Sequence, residues 1–433
     1  MSDKPQAFRA PIGTRDVAPP ESARWEALVA RFAEHVERAG FGLLLQPMFE
    51  DVGVFQRMGE GTDVVRKEMY EFLDKGERAM ALRPEGTASV VRAYVEHRPT
   101  TPWKVWYVTP VFRYEKPQAG RFRQHHQLGV EVLGSADPDL DVEVMVMLSD
   151  FYRSLGLRQV RLVVNSMGTP ADRVAYTGAV RAHLTAHLAA LDPADREKVD
   201  NHPLRVLDSK REATRAVVAS APTIEASLDA PALAHFDRVK AGLEAAGVSF
   251  AVDPRLVRGL DYYTHTLFEF RSDALDAAQD TIGGGGRFDG LAVALGGPDT
   301  PGVGFGCGLE RTLLTCDAEG VFVTDAPVPS VFVVDTTGGD HARDLVLRLR
   351  RAGIRAERAY DGRSMKAQMK AAGRSGAAIG LIVGEDEAAS GMVTVRDLAG
   401  DDPQRQAAVD EIEAVVVEMT GGRAAAMRED ARS

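Results

Sequence analysis

Only two cysteines, Cys307 and Cys316, occur in 433 residues, and they are not spaced as C-x-x-C. That excludes a disulfide framework and a zinc knuckle. No stretch approaches the roughly 18 uninterrupted apolar residues of a membrane span. The opening MSDKPQAFRAPIGTRD lacks the apolar core of a secretion signal, so a cytoplasmic protein with no membrane segment is expected. Neither G-x-x-x-x-G-K-[ST] nor G-x-G-x-x-G is present, which removes the P-loop and the dinucleotide fingerprint. Positive charge is also short: the formal net charge is −11, which argues against a generic nucleic-acid binder.

What is present is ordinary for a folded protein, with 45% hydrophobic and 27% charged residues. The length exceeds what one core usually supports and predicts two or three domains. Cations are concentrated locally. Arg113, Lys116, Arg121 and Arg123 face Glu115 alone between Arg113 and His126, and ten Arg or Lys stand against Asp344, Glu357 and Asp361 between Arg343 and Arg374. Basic regions in an acidic chain imply a polyanionic partner.

The periodicity predicts an α+β chain. After Pro19-Pro20, residues Trp25, Leu28, Val29, Phe32 and Val36 recur at helical spacing up to Gly40, and an extended run follows from Phe41 to Pro47. From Met69 to Glu131 short strand-like runs dominate around one helix over 84–96, the pattern of an antiparallel sheet with attached helices. A helix over 140–155 and the strand RLVVNS come next. An Ala-rich helical insertion is expected over about 170–246, because strand character resumes near Thr264. The first domain is thus predicted over 1–325. Beyond the link Asp325–Ser330, strands VFVV, IRAER and AIGLIV alternate with helices and predict an α/β domain over 330–420. A polar tail over 421–433 is expected to be disordered.

Without a P-loop, any nucleotide phosphates must be held by side chains. Arg113 in VFRYE, Arg258 in LVRGLDYY and Arg311 in GLERTLL are the candidates, since guanidinium is permanently charged and matches phosphate bidentately. Taken singly, each arginine reads more readily as a surface salt bridge. Glu131 alone reads as a solvent-facing strand residue, and Tyr262 and Tyr263 as core aromatics. The adjacent His125 and His126 point to opposite strand faces, make no shared metal site, and read as structural or RNA-facing. Cys307 reads as a small buried residue in a glycine-rich strand.

Five ordered segments shift that balance: LRPEGTASVVRAYVEH, PVFRYEKPQAGRFRQHHQLGVEVLG, LVRGLDYYTHTLFEF, GGGGRFDGL and GVGFGCGLERTLL. Together they resemble the histidyl-tRNA synthetases. VFRYE looks like class II motif 2, GFGCGLERTLL like motif 3 and FGLLLQP like motif 1. The segment RSMKAQMKAAGRSGAAIGLIVGEDEAASGMVTVRDL resembles the family's anticodon-binding domain, so the likeness spans nearly the whole chain.

The resemblance implies a class II antiparallel catalytic sheet of six or seven strands flanked by helices, with a helical insertion and a C-terminal α/β anticodon-binding domain. It implies activation of L-histidine with ATP and Mg²⁺, then loading onto tRNA(His). Arg113 would meet the α-phosphate, and Arg258 both that phosphate and the histidine carboxylate. Arg311 would hold the γ-phosphate with Arg121. Glu131 and Tyr263, beside Tyr262, would read the imidazole, and Glu85, Gly86 and Thr87 with Gln127 would hold the α-amino group. Lys116, Gln118 and Arg123 would face the tRNA acceptor end. The metal ligands are left unassigned, as are the anticodon-reading side chains. A homodimer is expected through the motif 1 segment, where Phe41 to Leu45 would otherwise expose apolar surface.

Phe288 departs from the family's usual tyrosine and puts one hydrogen bond near the substrate in doubt. The four glycines Gly283–Gly286 replace a more usual three, which glycine tolerates. Two rivals are the synthetase-like regulatory subunit of ATP phosphoribosyltransferase, which typically lacks the anticodon domain, and a sensor of uncharged tRNA, which would show decay of the catalytic residues.

Overall fold

Alternation along the strands builds the molecule, since successive side chains in an extended chain point to opposite faces. The computed structural model describes residues 7–57, 65, 67–118, 120–207, 209–258, 260–276, 279–324, 328–398, 400 and 403–420. The expected tail over 421–433 lies outside the described residues. Two compact units divide the chain, Met1–Thr324 and Asp325–Ser433.

The first unit is built on an eight-stranded sheet. Its strands, numbered in chain order, are β1 (Gly42–Leu43), β5 (Trp103–Phe112), β6 (Gln124–Leu133), β7 (Val160–Ser166), β8 (Phe250–Val252), β9 (Thr264–Ser272), β10 (Thr281–Arg287) and β11 (Gly302–Gly308). They lie in the order β1-β5-β6-β11-β10-β9-β7-β8. The six inner strands pair antiparallel. The short edges β1 and β8 pair parallel with β5 and β7, so the sheet exceeds the expected six or seven strands. A small sheet, β2 (Phe49–Asp51), β3 (Tyr70–Leu73) and β4 (Ala79–Leu82), stands apart in the order β2-β4-β3. EMYEFL therefore belongs to this small sheet, not the large one.

One face of the large sheet carries Trp106, Leu128, Val130, Val132 and Phe305. They pack on helices α1 (Glu21–Glu37) and α3 (Pro138–Ser154) through Phe32, Val144, Leu148 and Phe151. The opposite face presents Val105 and Tyr107 to helix α2 (Thr87–His97) through Val90, Val91 and Tyr94. Burying these side chains contributes roughly 1.5–3 kcal/mol each before chain entropy is offset.

Helices α4 (Pro170–Ala186) and α5 (Glu212–Val218) enclose a separate small core around Tyr176, Val180, Leu184 and Val217. A capping box between Thr169 and Asp172 fixes the start of α4. Helix α6 (Ala230–Ala245) instead returns to the large core, where it buries Phe236, Val239 and Leu243. Helix α7 (Leu309–Glu319) follows β11 directly and buries Leu309, Leu313 and Cys316 in the same core. No described helix is long and apolar enough to cross a membrane.

The second unit has a five-stranded sheet: β12 (Val331–Asp335), β13 (Ala356–Arg358), β14 (Ile379–Val383), β15 (Met392–Asp397) and β16 (Arg405–Ala408), in the order β13-β12-β14-β15-β16. The parallel strands β12, β13 and β14 alternate with helices α8 (Asp340–Arg351) and α9 (Met365–Ser375). VFVV and IGLIV are apolar throughout because both faces are covered: Val331 and Val333 pack with Leu345 and Leu349, and Phe332 and Val334 with Ala372. The antiparallel additions β15 and β16 extend the expected three strands.

Candidate active site

Strand β6 supplies the floor. Its residues of one parity, His125, Gln127, Gly129 and Glu131, share a face, while Leu128, Val130 and Val132 fill the core behind. Glu131 is fully buried. Its Oε1 accepts from Thr87 Oγ1 at 2.6 Å and from Tyr107 OH at 3.2 Å, whereas Oε2 has no hydrogen-bond partner among the described residues. Burial pushes the Glu131 carboxyl well above its usual range, and the nearby Glu85 adds to the shift. Gln127 Oε1 is likewise buried without a partner among the described residues.

These two side chains fit only because the neighbouring strand is nearly bare. Gly304 of β11 pairs with Glu131 and Gly306 with Gly129. A β-carbon at Gly304 would overlap Glu131 Oε2, and one at Gly306 would overlap Gln127 Nε2. The glycines of β11 are the space that the polar atoms occupy.

Helix α2 supplies the next wall. The Glu85 carboxylate accepts from the N–H groups of Thr87 (2.8 Å) and Ala88 (2.7 Å) and closes the first helical turn. Burial raises its pKa, and those two N–H groups oppose the rise. Tyr262 OH lies 3.4 Å from Glu85 Oε2, and Tyr262 packs on Tyr263 with ring centres 4.7 Å apart. Gly86 opens the helix and offers its carbonyl to Gln46 Nε2 at 3.3 Å. Phe288, 2% exposed, sits edge-on to Tyr262 at 6.0 Å.

Glu85, Thr87, Gln127, Tyr262, Tyr263 and Phe288 line a closed pocket of about 50 Å³, with Gly304 in its wall and Glu131 directly behind. Arg113 and Arg258 also border it. Beside it opens a chamber of about 190 Å³ walled by Arg113, Arg121, Arg258 and Arg311 with His125 and Thr281.

Each arginine is held differently. Arg113, one residue past β5, donates Nε to Pro84 O at 2.9 Å. Arg311 donates to Gly120 O (3.1 Å) and Thr281 O (2.8 Å); burial lowers its pKa and the nearby Arg121 adds to this. Arg121 pairs with Glu115 at 2.9 Å. Arg258 is paired with Glu269 at 2.7 Å. Burial works against its charge, but Glu269 outweighs that and raises its pKa. Carbonyl partners fix a guanidinium without neutralising it, so Arg113 and Arg311 keep their charge for an anion.

The acceptor-end candidates lie apart from these cavities. Lys116 and Gln118 are exposed, with Gln118 bridged to Arg121 through the backbone. Arg123 is half-buried, lies over the Tyr114 ring at 4.0 Å and donates Nε to Glu115 O at 3.2 Å. His126 is structural: its ring faces Trp25 edge-on at 4.9 Å, and Nδ1 lies 3.0 Å from Glu310 Oε1.

Sequence reasoning read His125 as structural or RNA-facing, not as part of the site, and did not single out Tyr107. His125 lines the arginine chamber, and burial, together with the cations Arg113 and Arg311, pushes its pKa down to about 3. Its signal was available, since it lies two residues before Gln127 on the same strand face. Tyr107 had no such signal, because only the sheet register brings its hydroxyl to Glu131.

An arginine-walled chamber without a P-loop, opening beside a closed polar pocket on an antiparallel sheet, is the design of a class II aminoacyl-tRNA synthetase. Comparison with known proteins narrows the class. The histidyl-tRNA synthetase profile matches residues 13–312, and the anticodon binding domain profile matches 330–419. Histidine–tRNA ligase from Geobacillus kaustophilus is 44% identical over 91% of this chain and 94% of its own length. The ligase from Rhodococcus erythropolis is 47% identical over 92% and 94%. The crystal structure of apo S. aureus histidyl-tRNA synthetase is 33% identical, covers 95% of this chain and all of its own, and superposes with a TM-score of 0.80. The chain belongs to the histidyl-tRNA synthetase family. An ATP phosphoribosyltransferase regulatory subunit/histidyl-tRNA synthetase from Bacillus halodurans matches at 20% identity and a TM-score of 0.61 over 85% of this chain, a likeness of fold alone.

Proposed function

We infer that this chain activates L-histidine with ATP, forming histidyl-adenylate and diphosphate, and transfers histidine to the 3′ end of tRNA(His). The observation that carries the reading is that Arg113 and Arg258 border both the closed pocket and the arginine chamber. A substrate carboxylate and an α-phosphate would meet there.

Such a transfer needs alignment and neutralised charge more than a strong base. In the proposed arrangement the imidazole lies against Glu131 and Tyr263, beside Tyr262. Glu85, Thr87 and Gln127 take the α-amino group, with Gly86 opening the helix that presents them. The histidine carboxylate oxygen attacks the α-phosphorus. Arg113 and Arg258 hold the charge on the phosphate, and Arg258 also aligns the carboxylate. Arg311 and Arg121 grip the γ-phosphate end. A ligand N–H reaching Glu131 Oε2 or Gln127 Oε1 would satisfy an atom that otherwise lacks a partner, so an analogue without it is rejected.

Mg²⁺ is proposed to arrive bound to the triphosphate, where it lowers the charge the arginines must meet. Glu115 and Glu310 are carboxylates in the chamber wall that would face it. Each also has a protein partner, Arg121 and His126, which fits a cation held mainly through the nucleotide.

For tRNA, the turn bearing Lys116 and Gln118, with Arg123 behind it, is proposed to meet the acceptor end. Residues 330–420 would read the anticodon, whose unstacked bases expose their edges. The first domain is proposed over 1–325 with the helical insertion at about 170–246. Pairing of two copies is proposed through the motif 1 segment. The cytoplasm is proposed as the compartment, in keeping with two buried, unpaired cysteines.

Histidine-dependent ATP–pyrophosphate exchange, run beside other amino acids, tests the reading, and exchange with histidine alone is expected. Arg258→Ala should lower the rate by about 10²–10³-fold while the protein still folds. Exchange surviving near the unsubstituted level would remove Arg258 from the proposed role.

A further inference from the structure

A third cavity is larger than either chamber, about 870 Å³. It runs between the helical insertion and the sheet, and it shares Arg121, Arg258, Thr281 and Arg311 with the arginine chamber. Further cations line its walls: Lys210 and Arg215 from the insertion, and Arg255 and Arg271 from around β8 and β9. Among the described residues, seven cationic side chains therefore meet three carboxylates, Asp253, Glu269 and Asp280.

Those carboxylates are partly engaged. Glu269 is shared between Arg258 (2.7 Å) and Arg271 (2.8 Å), and Asp253 lies 3.8 Å from Arg271. Arg255 donates to the carbonyls of Val218 (3.0 Å) and Ala219 (2.6 Å), neutral partners that pin it across the cleft and leave its charge in place. Arg215 is exposed on α5 at the cleft wall. The excess charge is positive and favours an anionic occupant.

The order of the three cavities gives the cleft a direction. Arg258 borders all three. On the reading above, the histidine carboxylate approaches from the closed pocket. A carboxylate oxygen bonds to the α-phosphorus as the bond from that phosphorus to its bridging oxygen breaks. The electron pair leaves on pyrophosphate, roughly in line and away from the attacking side. Arg121 and Arg311 stand where the chamber opens into the basic cleft. We propose that this cleft is a second polyphosphate site, which receives inorganic pyrophosphate and conducts it out past Arg215 and Lys210. The proposal rests on the synthetase reading and adds a place for the leaving group.

Pyrophosphate exchange reads this site directly, because pyrophosphate is the varied substrate. The double variant Lys210→Ala/Arg215→Ala should raise the pyrophosphate KM roughly fivefold, as removal of two exposed charge contacts would, with KM for ATP and histidine unchanged. Arg215→Glu should exceed that rise, and Arg215→Lys should restore most of the affinity. An unaltered pyrophosphate KM would overturn the assignment. So would an equal rise in the ATP KM, which would make the cleft part of the triphosphate site, or a rise confined to the tRNA KM, which would assign the cations to RNA phosphates. Absence of histidine-dependent exchange in the unsubstituted protein would instead overturn the synthetase reading itself.

Discussion

Glu131 shows how one side chain can be built for a partner it does not yet have. Two hydroxyls secure one oxygen, and the other is buried with no hydrogen-bond partner among the described residues. Glu131→Ala would remove both the waiting oxygen and the acceptor that Thr87 and Tyr107 share. We expect kcat/KM for histidine to fall by about a hundredfold or more, with ATP affinity little changed, in exchange kinetics. A loss confined to ATP would contradict the placement. His125 supplies a pH signature. Its pKa falls on folding from an ordinary 6.5 to about 3, so between those values the unfolded chain binds more protons than the folded one. Its contribution to stability is complete above about pH 6.5 and declines as pH falls through that window. Denaturant midpoints measured from pH 7 to 4 should drop less steeply in His125→Asn, and an unchanged slope would refute the assignment.

At the scale of elements, strand β10 is tied to helix α3 by a buried pair. Arg287 (1% exposed) reaches Asp141 (0%) and the carbonyls of Ser135 and Asp137. Asp141→Asn should lower unfolding free energy by about 3 kcal/mol, the cost of leaving one buried charge uncompensated, and denaturant unfolding would measure it. Much at this scale was legible beforehand. The helix from Trp25 to Val36, the strand RLVVNS and the alternation in the second unit are written in side-chain period. The extended run from Phe41 to Pro47 holds β1, but its parallel pairing and the edge strand β8 were not legible, because two or three residues carry no period. Phe41 was expected on an exposed face yet is 3% exposed, capping the core beside Trp106; an extended run does not reveal which of its faces meets a helix. The arginines and carboxylates of the site were named from motifs, and composition alone would have left them as surface charges.

At the scale of the whole molecule, the first unit leaves a run of apolar side chains open to water. Leu45 is 77% exposed, Leu73 68%, Met48 and Phe49 53% each, and Phe72 42%. They cluster on and beside the small sheet, where Phe49 and Phe72 already touch at 6.2 Å. Such a patch marks a contact surface, and it adjoins the segment proposed to pair two copies. Sedimentation at micromolar concentration should therefore report a dimer, and Leu45→Asp with Phe49→Asp should shift it towards monomer. A monomeric unsubstituted protein would refute the pairing.

The bare strand β11 has a consequence for any attempt to change which amino acid is accepted. Because the recess beside Glu131 and Gln127 is made by atoms that Gly304 and Gly306 lack, that side of the cavity has no groove to widen. Substitutions there act in one direction, by filling. A larger or differently polar substrate has to be accommodated from the opposite side, by shortening Tyr262 or Tyr263, so a library aimed at altered specificity should diversify those two positions and keep the two glycines fixed.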